Sequence, residues 1–151
     1  MANTQAMCTS FKGELLTGTH NFGTGVTRAS TAADTFKAAL YLASATVNAS
    51  TTAYSSTGEV TGTNYTAGGA TVTNATAPAT SGTTAYWTPS ASISFSNVTL
   101  STAFDAVLIY NSSQSNKAVS VHTFGSQTVT AGTFTLTMPT NDSSTGLIRL
   151  A

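Results

Sequence analysis

Apolar and hydroxyl-bearing side chains alternate along most of the chain. In the segment QTVTAGTFTLTMP (127–139), Phe134, Leu136 and Met138 occupy one parity and threonines occupy the other. A period of two is typical of a β-strand that buries one face and presents the other outward. The segment therefore predicts a half-buried strand with an outward face of threonine.

Similar segments, separated by turn sequences such as TAGG, NSSQSN and TNDSSTG, fill the chain from residue 34 onward. Short strands at such intervals, without a helical period between them, are typical of an antiparallel β-sandwich. We therefore expect a mainly β, jelly-roll-like fold. The predicted strands span residues 36–43, 57–62, 70–75, 83–89, 92–100, 103–111, 117–125, 127–139 and 146–151.

Two of these segments carry further information. In AFDAVLIYN (103–111) both parities are apolar, which predicts a strand covered on both faces, either central in its sheet or beneath a neighbouring subunit. In SISFSNVTL (92–100) the apolar parity switches, and a β-bulge near Ser96 and Asn97 would return the apolar side chains to one face. The expected core residues include Phe95, Leu108, Phe134, Leu136 and Met138.

The N-terminal segment follows a different period. Met7, Phe11 and Leu15 recur every four positions, with Leu16 beside them, and this pattern predicts a helix from residue 4 to 17. The Gly- and Thr-rich sequence that follows has no clear period and predicts a linker or extended arm. We therefore expect an N-terminal helix and arm over residues 1–33 and a β-sandwich domain over residues 34–151.

A short amphipathic helix must bury its apolar stripe. The stripe either anchors the chain to another molecule or packs on the chain's own sandwich. The adjacent aromatic residues Tyr86 and Trp87 form either an exposed platform for a carbohydrate or a contact that lies half in the core and half in a subunit interface. The candidate partner-binding residues are thus Met7, Phe11, Leu15, Leu16, Tyr86 and Trp87.

Composition narrows the classes of function. Charged residues make up 7% of the chain, and five basic residues balance five acidic ones. Nucleic-acid binding needs a clustered excess of Lys and Arg, so we expect no nucleic-acid partner. The single cysteine, Cys8, excludes an internal disulfide framework. No secretory signal pattern or long apolar run is present, which predicts cytosolic synthesis and no membrane partner.

No residues of the sequence form a convincing catalytic pattern. His122 and Asp105 could be combined with one of many serines, but no GxSxG motif surrounds any serine. We therefore expect His122 to pack beside Phe124 or to form a hydrogen bond across a sheet. The carboxylates Glu59 and Asp34 lie far apart in sequence and flank no cleft signal.

Metal and phosphate sites are equally unsupported. His20, His122 and Cys8 are isolated and show no ligand spacing. Asp142 and the Gly68–Gly69 pair have the pattern of turn residues, because no helix follows the glycines as a phosphate loop requires. The sequence predicts no catalytic residues, no cofactor and no metal.

Two long runs resemble the structural proteins of tailed-bacteriophage virions. The first is DTFKAALYLASATVNASTTAYSSTGEVTGTNYTAGGATVTNA (34–75), and the second extends from AFDAVLIYN through KAVSVHTFGSQTVTAGTFTLTMPTNDSSTGLIRLA to the last residue. With MANTQAMCTSFKGELL at the start, the resemblance covers most of the chain. It implies a virion structural protein and carries over no catalytic residues.

The resemblance and the composition lead to one functional expectation. A neutral, threonine-rich surface is suited to contacts between many identical copies, since repeated like charges would repel. We expect a capsid decoration, or cement, protein on the capsid exterior, assembled in the host cytoplasm. Its partners would be the major capsid protein and other copies of itself, as a trimer or dimer. The alternative is a tail or baseplate component, including a module that binds a host glycan.

Overall fold

The computed structural model describes residues 3–8, 10, 11, 15, 18–20, 22, 33–73 and 77–151 of the 151-residue chain. The described residues are mainly β, which confirms the predicted fold class. The strands are β1 (Ala6–Met7), β2 (Phe36–Leu42), β3 (Ala70–Val72), β4 (Ala79–Ser81), β5 (Thr84–Trp87), β6 (Ile93–Asn111), β7 (Lys117–Leu136) and β8 (Ile148–Leu150).

The strands form two antiparallel sheets. The larger sheet has five strands in the order β1-β7-β6-β2-β3, and the smaller has three in the order β4-β5-β8. Phe36 of β2 contacts Trp87 of β5, with ring centroids 5.9 Å apart, so the two sheets pack face to face. This arrangement confirms the predicted antiparallel sandwich.

A long hairpin of β6 and β7 forms the centre of the larger sheet. Its register runs from Ile93 opposite Leu136 to Asn111 opposite Lys117. The sequence predicted four shorter strands here, and that prediction is wrong in number. Uncharged hydroxyl residues at the predicted breaks remain compatible with extended backbone, and shifts of register absorb the irregularities without ending either strand.

The predicted bulge in β6 is confirmed. The register shifts between Phe95 and Val98, and Asn97 within this interval has a φ of 53°. As a result Ile93, Phe95, Val98 and Leu100 are all buried despite their change of parity. The prediction that the second half of β6 is covered on both faces is also confirmed, because every residue from Ala106 to Tyr110 is buried and the strand is central.

The two faces of the larger sheet are covered differently. One face packs against the smaller sheet through aromatic side chains. Phe22 stacks on Phe36 at 4.6 Å and lies 4.8 Å from Trp87, while Phe11 contacts Phe22 at 5.7 Å, all between ring centroids. The opposite face, which carries Tyr41, is covered by the connection from β2 to β3.

The N-terminal prediction requires correction. Ala6 and Met7 form β1 and pair with Val121 and Ser120 of β7, so the first part of the predicted helix is extended. A strand can form there because the edge of β7 supplies hydrogen-bond partners that lie far away in sequence. Helical backbone occurs at residues 10, 11 and 15, whereas Leu16, the rest of the predicted helix and most of the predicted arm lie outside the described residues.

The predicted strand at 57–62 is also wrong. Glu59 makes only an isolated bridge to Tyr41, and Gly58 has a φ of +78°, which is incompatible with an extended strand. A side chain at Gly58 would also meet the Cβ of Ala45 at 2.7 Å. Strand β4, at residues 79–81, was not predicted, because its sequence ATS carries no apolar alternation.

The expected core is confirmed only in part. Phe95 and Leu108 are buried, but Phe134, Leu136 and Met138 are half-buried. The parity of these three side chains is correct, since they pack against the edge of the core. They remain partly exposed because the end of β7 extends beyond the part of the sheet that β2 covers.

This difference generates a prediction about stability. Leu108→Ala should lower the free energy of unfolding by about 2–5 kcal/mol, since it leaves a cavity in the interior. Leu136→Ala should lower the free energy of unfolding by clearly less, because the Leu136 side chain is already half exposed. Denaturant unfolding of both variants measures the difference, and equal losses would contradict the described burial.

Candidate functional site

A buried carboxylate lies beneath the connection from β2 to β3. Glu59 is only 6% exposed. Its Oε1 accepts hydrogen bonds from the Tyr65 hydroxyl and the Gly68 N–H, each 2.8 Å long, and its Oε2 accepts one of 2.6 Å from the Tyr54 hydroxyl. Burial of a carboxylate is costly unless it is hydrogen-bonded, and here both oxygens have donors.

The tyrosines extend this cluster to the sheet. Tyr65 also accepts a hydrogen bond of 3.0 Å from the Leu40 N–H, and the Tyr110 hydroxyl donates to the Gly68 carbonyl at 2.7 Å. The Tyr54 and Tyr110 rings stack with centroids 4.7 Å apart. We refer to Glu59, Tyr54, Tyr65, Gly68 and Tyr110 as the Glu59 cluster. It ties the irregular connection to β2 and β6.

The local sequence explains why the chain turns at this cluster. Gly68 and Gly69 have φ values of +88° and +71°, a conformation that glycine adopts without strain. A Cβ at Gly69 would lie 1.9 Å from the carbonyl oxygen of Ala38. The glycine pair is therefore a turn that lets the backbone approach β2, as predicted. The Gly68 N–H donates to the Glu59 carboxylate, whereas the Gly69 N–H donates to the Thr66 carbonyl at 2.9 Å.

The electrostatics of the cluster keep its tyrosines neutral. Burial, followed by the charge of Glu59, raises the pKa of Tyr110 to about 12. Burial also raises the pKa of Tyr41 to about 12 and, together with the bond to Glu59, raises the pKa of Tyr54 and Tyr65. All these hydroxyl groups therefore keep their protons near neutral pH and can donate hydrogen bonds. The arrangement ties the connection to the sheet through neutral hydroxyl groups.

A second polar cluster lies on the other face of the sheet. The buried side-chain nitrogen of Asn111 donates to Asp34 Oδ2 at 2.8 Å and to His20 Nδ1 at 3.1 Å. His20 packs edge-on against Phe11 at 4.8 Å between centroids. Since Asn111 and Tyr110 are adjacent in β6, their side chains point to opposite faces. Asp34 and Glu59 therefore do not form a carboxylate pair.

His122 lies beside a half-open apolar cavity of about 280 Å³. Its Nε2 is 2.9 Å from the Ser120 Oγ, and burial lowers its pKa to about 4. Phe124 lines the same cavity. Asp105 Oδ1 accepts a 2.5 Å hydrogen bond from the side-chain amide of Asn3.

Groups for metal binding do not assemble in the described part of the chain. Among those residues, no three His, Cys, Asp or Glu side chains gather around one point. Asp142 is a turn residue, since its Oδ1 accepts hydrogen bonds from the Ser144 and Thr145 N–H groups at 2.7 and 2.8 Å. These bonds lower the pKa of the Asp142 carboxyl.

The candidate partner-binding residues are only partly accessible. Phe11 and Trp87 are buried in the chain's own core, so the alternative of packing on the sandwich holds for Phe11. Leu15 and Tyr86 are half-buried and, with Phe11 and Trp87, line a cavity of about 210 Å³. Met7 is half-buried in β1. Leu16 lies outside the described residues.

Comparisons with protein-family models, with curated proteins and with solved structures found no match to this chain. Within the described residues, no helix has the length and apolar character needed to cross a membrane. The function must therefore be inferred from the geometry and from the sequence.

The buried tyrosines predict a loss of stability at alkaline pH. A tyrosine in the unfolded chain loses its proton near pH 10.0, whereas the pKa of Tyr110 in the folded chain is about 12. Between these values the unfolded chain binds fewer protons than the folded chain, so the free energy of unfolding falls as the pH rises. Urea unfolding across this range should show the fall. Tyr110→Phe should reduce its slope, and Tyr86→Phe, on the other sheet, is the matched control.

His122 predicts a corresponding loss on acidification. The unfolded histidine takes up a proton near its ordinary pKa of 6.5, but the folded one does so only near 4. Its contribution to stability is therefore complete above pH 6.5 and decreases as the pH falls toward 4. His122→Gln retains a group that can hydrogen-bond Ser120 but does not titrate. The difference in unfolding free energy between the two proteins should shrink on acidification, and a constant difference would contradict the described burial.

Proposed function

We propose that this chain is a non-enzymatic structural protein of a phage virion, and specifically a decoration protein that binds the exterior of the major capsid lattice. The observation that carries the proposal is an uncharged two-stranded arm, most of whose polar side chains are exposed. Pairing of β2 with β6 ends at Phe104, and residues 93–103 of β6 and 124–136 of β7 form this arm, at the end of the two strands away from their connecting turn.

The arm has an unusual surface for a soluble protein. Asp105 and Lys117 are the only charged residues of β6 and β7, and both lie outside the arm. Its exposed positions carry mainly Ser, Thr, Asn, Gln and small residues. Hydroxyl and amide groups interact favourably with water. Their removal from water costs less free energy than that of charged groups, provided that they find hydrogen-bond partners.

A repeated lattice favours such a surface. Neighbouring copies around a symmetric shell place the same side chains close together many times, so a net charge at the contact would repel at every repeat. A neutral arm avoids this repulsion. Together with the resemblance of residues 34–75 and of the C-terminal strands to phage structural proteins, this property supports attachment to a capsid of many identical subunits.

The buried polar groups support a non-enzymatic role. The Glu59 carboxylate is occupied by three donors from its own fold. His122 has its pKa lowered to about 4, well below the value that suits a general base at neutral pH. Ser120 lies within hydrogen-bond distance of His122, but Asp105, the third residue that such a triad would need, binds Asn3.

Immunogold labelling of phage particles tests the proposed location. Gold should decorate heads at many positions, and purified protein should co-sediment saturably with heads that lack it and raise their temperature of thermal disruption. Label confined to tails would overturn the capsid assignment in favour of a tail or baseplate component. Absence of label from all particles would overturn the virion role.

The role of the arm can be tested in the same binding assay. Replacing the exposed Thr128 and Thr130 with Glu should weaken co-sedimentation with heads about tenfold or more, because like charges would recur at the lattice contact. Thr57→Glu, an exposed position in the β2–β3 connection, is the matched control and should bind as the parent does. Equal binding by both variants would show that the arm is not the contact.

A further inference from the structure

Among the described residues, the outer edge of β7 is paired with another strand only near its start. β1 and Cys8 cover this edge only from Val119 to Val121. The chain then turns away, since the Thr4 N–H donates to the Val47 carbonyl at 3.2 Å. From Thr123 to Leu136, no strand of the described chain pairs with the side of β7 that faces away from β6.

The last part of this edge is also the most regular. The register between β6 and β7 shifts repeatedly up to Gly132, and such bulges twist an edge away from a further strand. Beyond them, Phe134, Thr135 and Leu136 pair with Phe95, Ser94 and Ile93 without a shift. We call residues 133–137, with the sequence TFTLT, the edge segment.

The edge segment lacks the usual protection against pairing. Open edges are commonly protected by lysine, proline or an inward-pointing charge. No charged residue occurs between Lys117 and Asp142. The one proline in this stretch of sequence, Pro139, follows the edge segment. No strand in the described part of the chain pairs with the outer side of this segment, and another strand could approach it without meeting a charge on the segment.

The two faces of the edge segment differ in polarity. Phe134 and Leu136 are half-buried and line the apolar cavity of about 280 Å³. Thr135 is exposed on the opposite face, where its hydroxyl lies 3.2 Å from that of Ser94. An added strand would extend both surfaces if it offered apolar side chains on one face and threonines on the other.

We propose that a second copy of this chain supplies that strand. The two edge segments pair antiparallel about a two-fold axis at Thr135, which joins the two larger sheets into one. In this register Phe134 lies opposite Leu136 of the second copy, and Thr133 lies opposite its Thr137. The sequence TFTLT is thus complementary to itself, as an isologous contact requires.

The chemistry of the segment favours its own copy over another partner. Aromatic and threonine cross-strand pairs stabilise antiparallel sheets, whereas like charges opposite each other destabilise them, and this pairing contains none. A charged peptide would find no opposite charge along the segment. The second copy also brings the two half-buried Phe134–Leu136 surfaces together and covers their exposed parts. The proposal does not depend on a role in a virion.

Sedimentation velocity of the purified full chain over a range of concentrations tests the dimer. The parent should show a reversible monomer–dimer equilibrium. Thr135→Lys and Thr135→Glu should each weaken association about tenfold or more, since each places like charges opposite one another at the axis. Ser101→Lys, at an exposed position of β6, is the control and should associate as the parent does.

An equimolar mixture of the Lys and Glu variants separates loss of pairing from loss of folding. The mixture should recover dimers, because opposite charges then face each other at the axis. A parent that remains monomeric at all concentrations, variants that associate as the parent does, or a mixture that fails to recover would each overturn the proposal.

A cysteine at the axis tests the register directly. Residues directly opposite in antiparallel strands have Cα atoms about 4.5–5.5 Å apart, within the range that a disulfide spans. Under mild oxidation, Thr135→Cys should form a covalent dimer and Ser101→Cys should not, while the native Cys8 is buried. Equal cross-linking of both variants, or none in Thr135→Cys, would refute the axis at Thr135.

Discussion

The hydrogen bonds to the buried Glu59 carboxylate hold together the part of the fold that has least regular structure. β3 covers the outer edge of β2 only from Phe36 to Ala38. Farther along, the Val60 N–H donates to the Leu40 carbonyl at 3.0 Å, and the Leu42 N–H donates to the Gly58 carbonyl at 2.9 Å. Glu59 lies between these contacts, so its side-chain bonds fix the connection that completes the edge.

The two sides of the larger sheet consequently differ. On the β2 side, a connection without regular strands supplies hydrogen-bond partners for the backbone of β2 and covers the tyrosine-rich face of the sheet. On the β7 side, β1 is only two residues long, and no other described strand covers the outer edge of β7. The proposed edge-to-edge pairing therefore uses β7.

The same asymmetry connects stability with the proposed role. The tightly packed part of the molecule lies where β2, β6 and β7 overlap and where Phe22, Phe36 and Trp87 join the two sheets. The arm beyond Phe104 has fewer buried side chains and no charge. A stable centre that carries a neutral two-stranded arm with exposed hydroxyl groups is well suited to binding repeated partners, since association need not disturb the core.

The sequence by itself determined the class of fold and much of its strand content. Side-chain parity is a local property, so alternation was enough to identify β2, β5 and the two halves of both β6 and β7. It also located the bulge at Ser96 and Asn97, because a change of parity within one strand has few structural solutions. The turn at Gly68 and Gly69 followed from the same kind of local signal.

Only the tertiary structure decided which groups meet and what covers each face. The strand predicted at 57–62 gave no sign that Glu59 is buried, and its donors Tyr54, Tyr65 and Gly68 are brought to it by the path of the connection. Ala6 and Met7 became a strand because β7, remote in sequence, offered an open edge. Parity indicated the inward face of Phe134 and Leu136 but not their partial exposure, since burial depends on whether another element lies above that face.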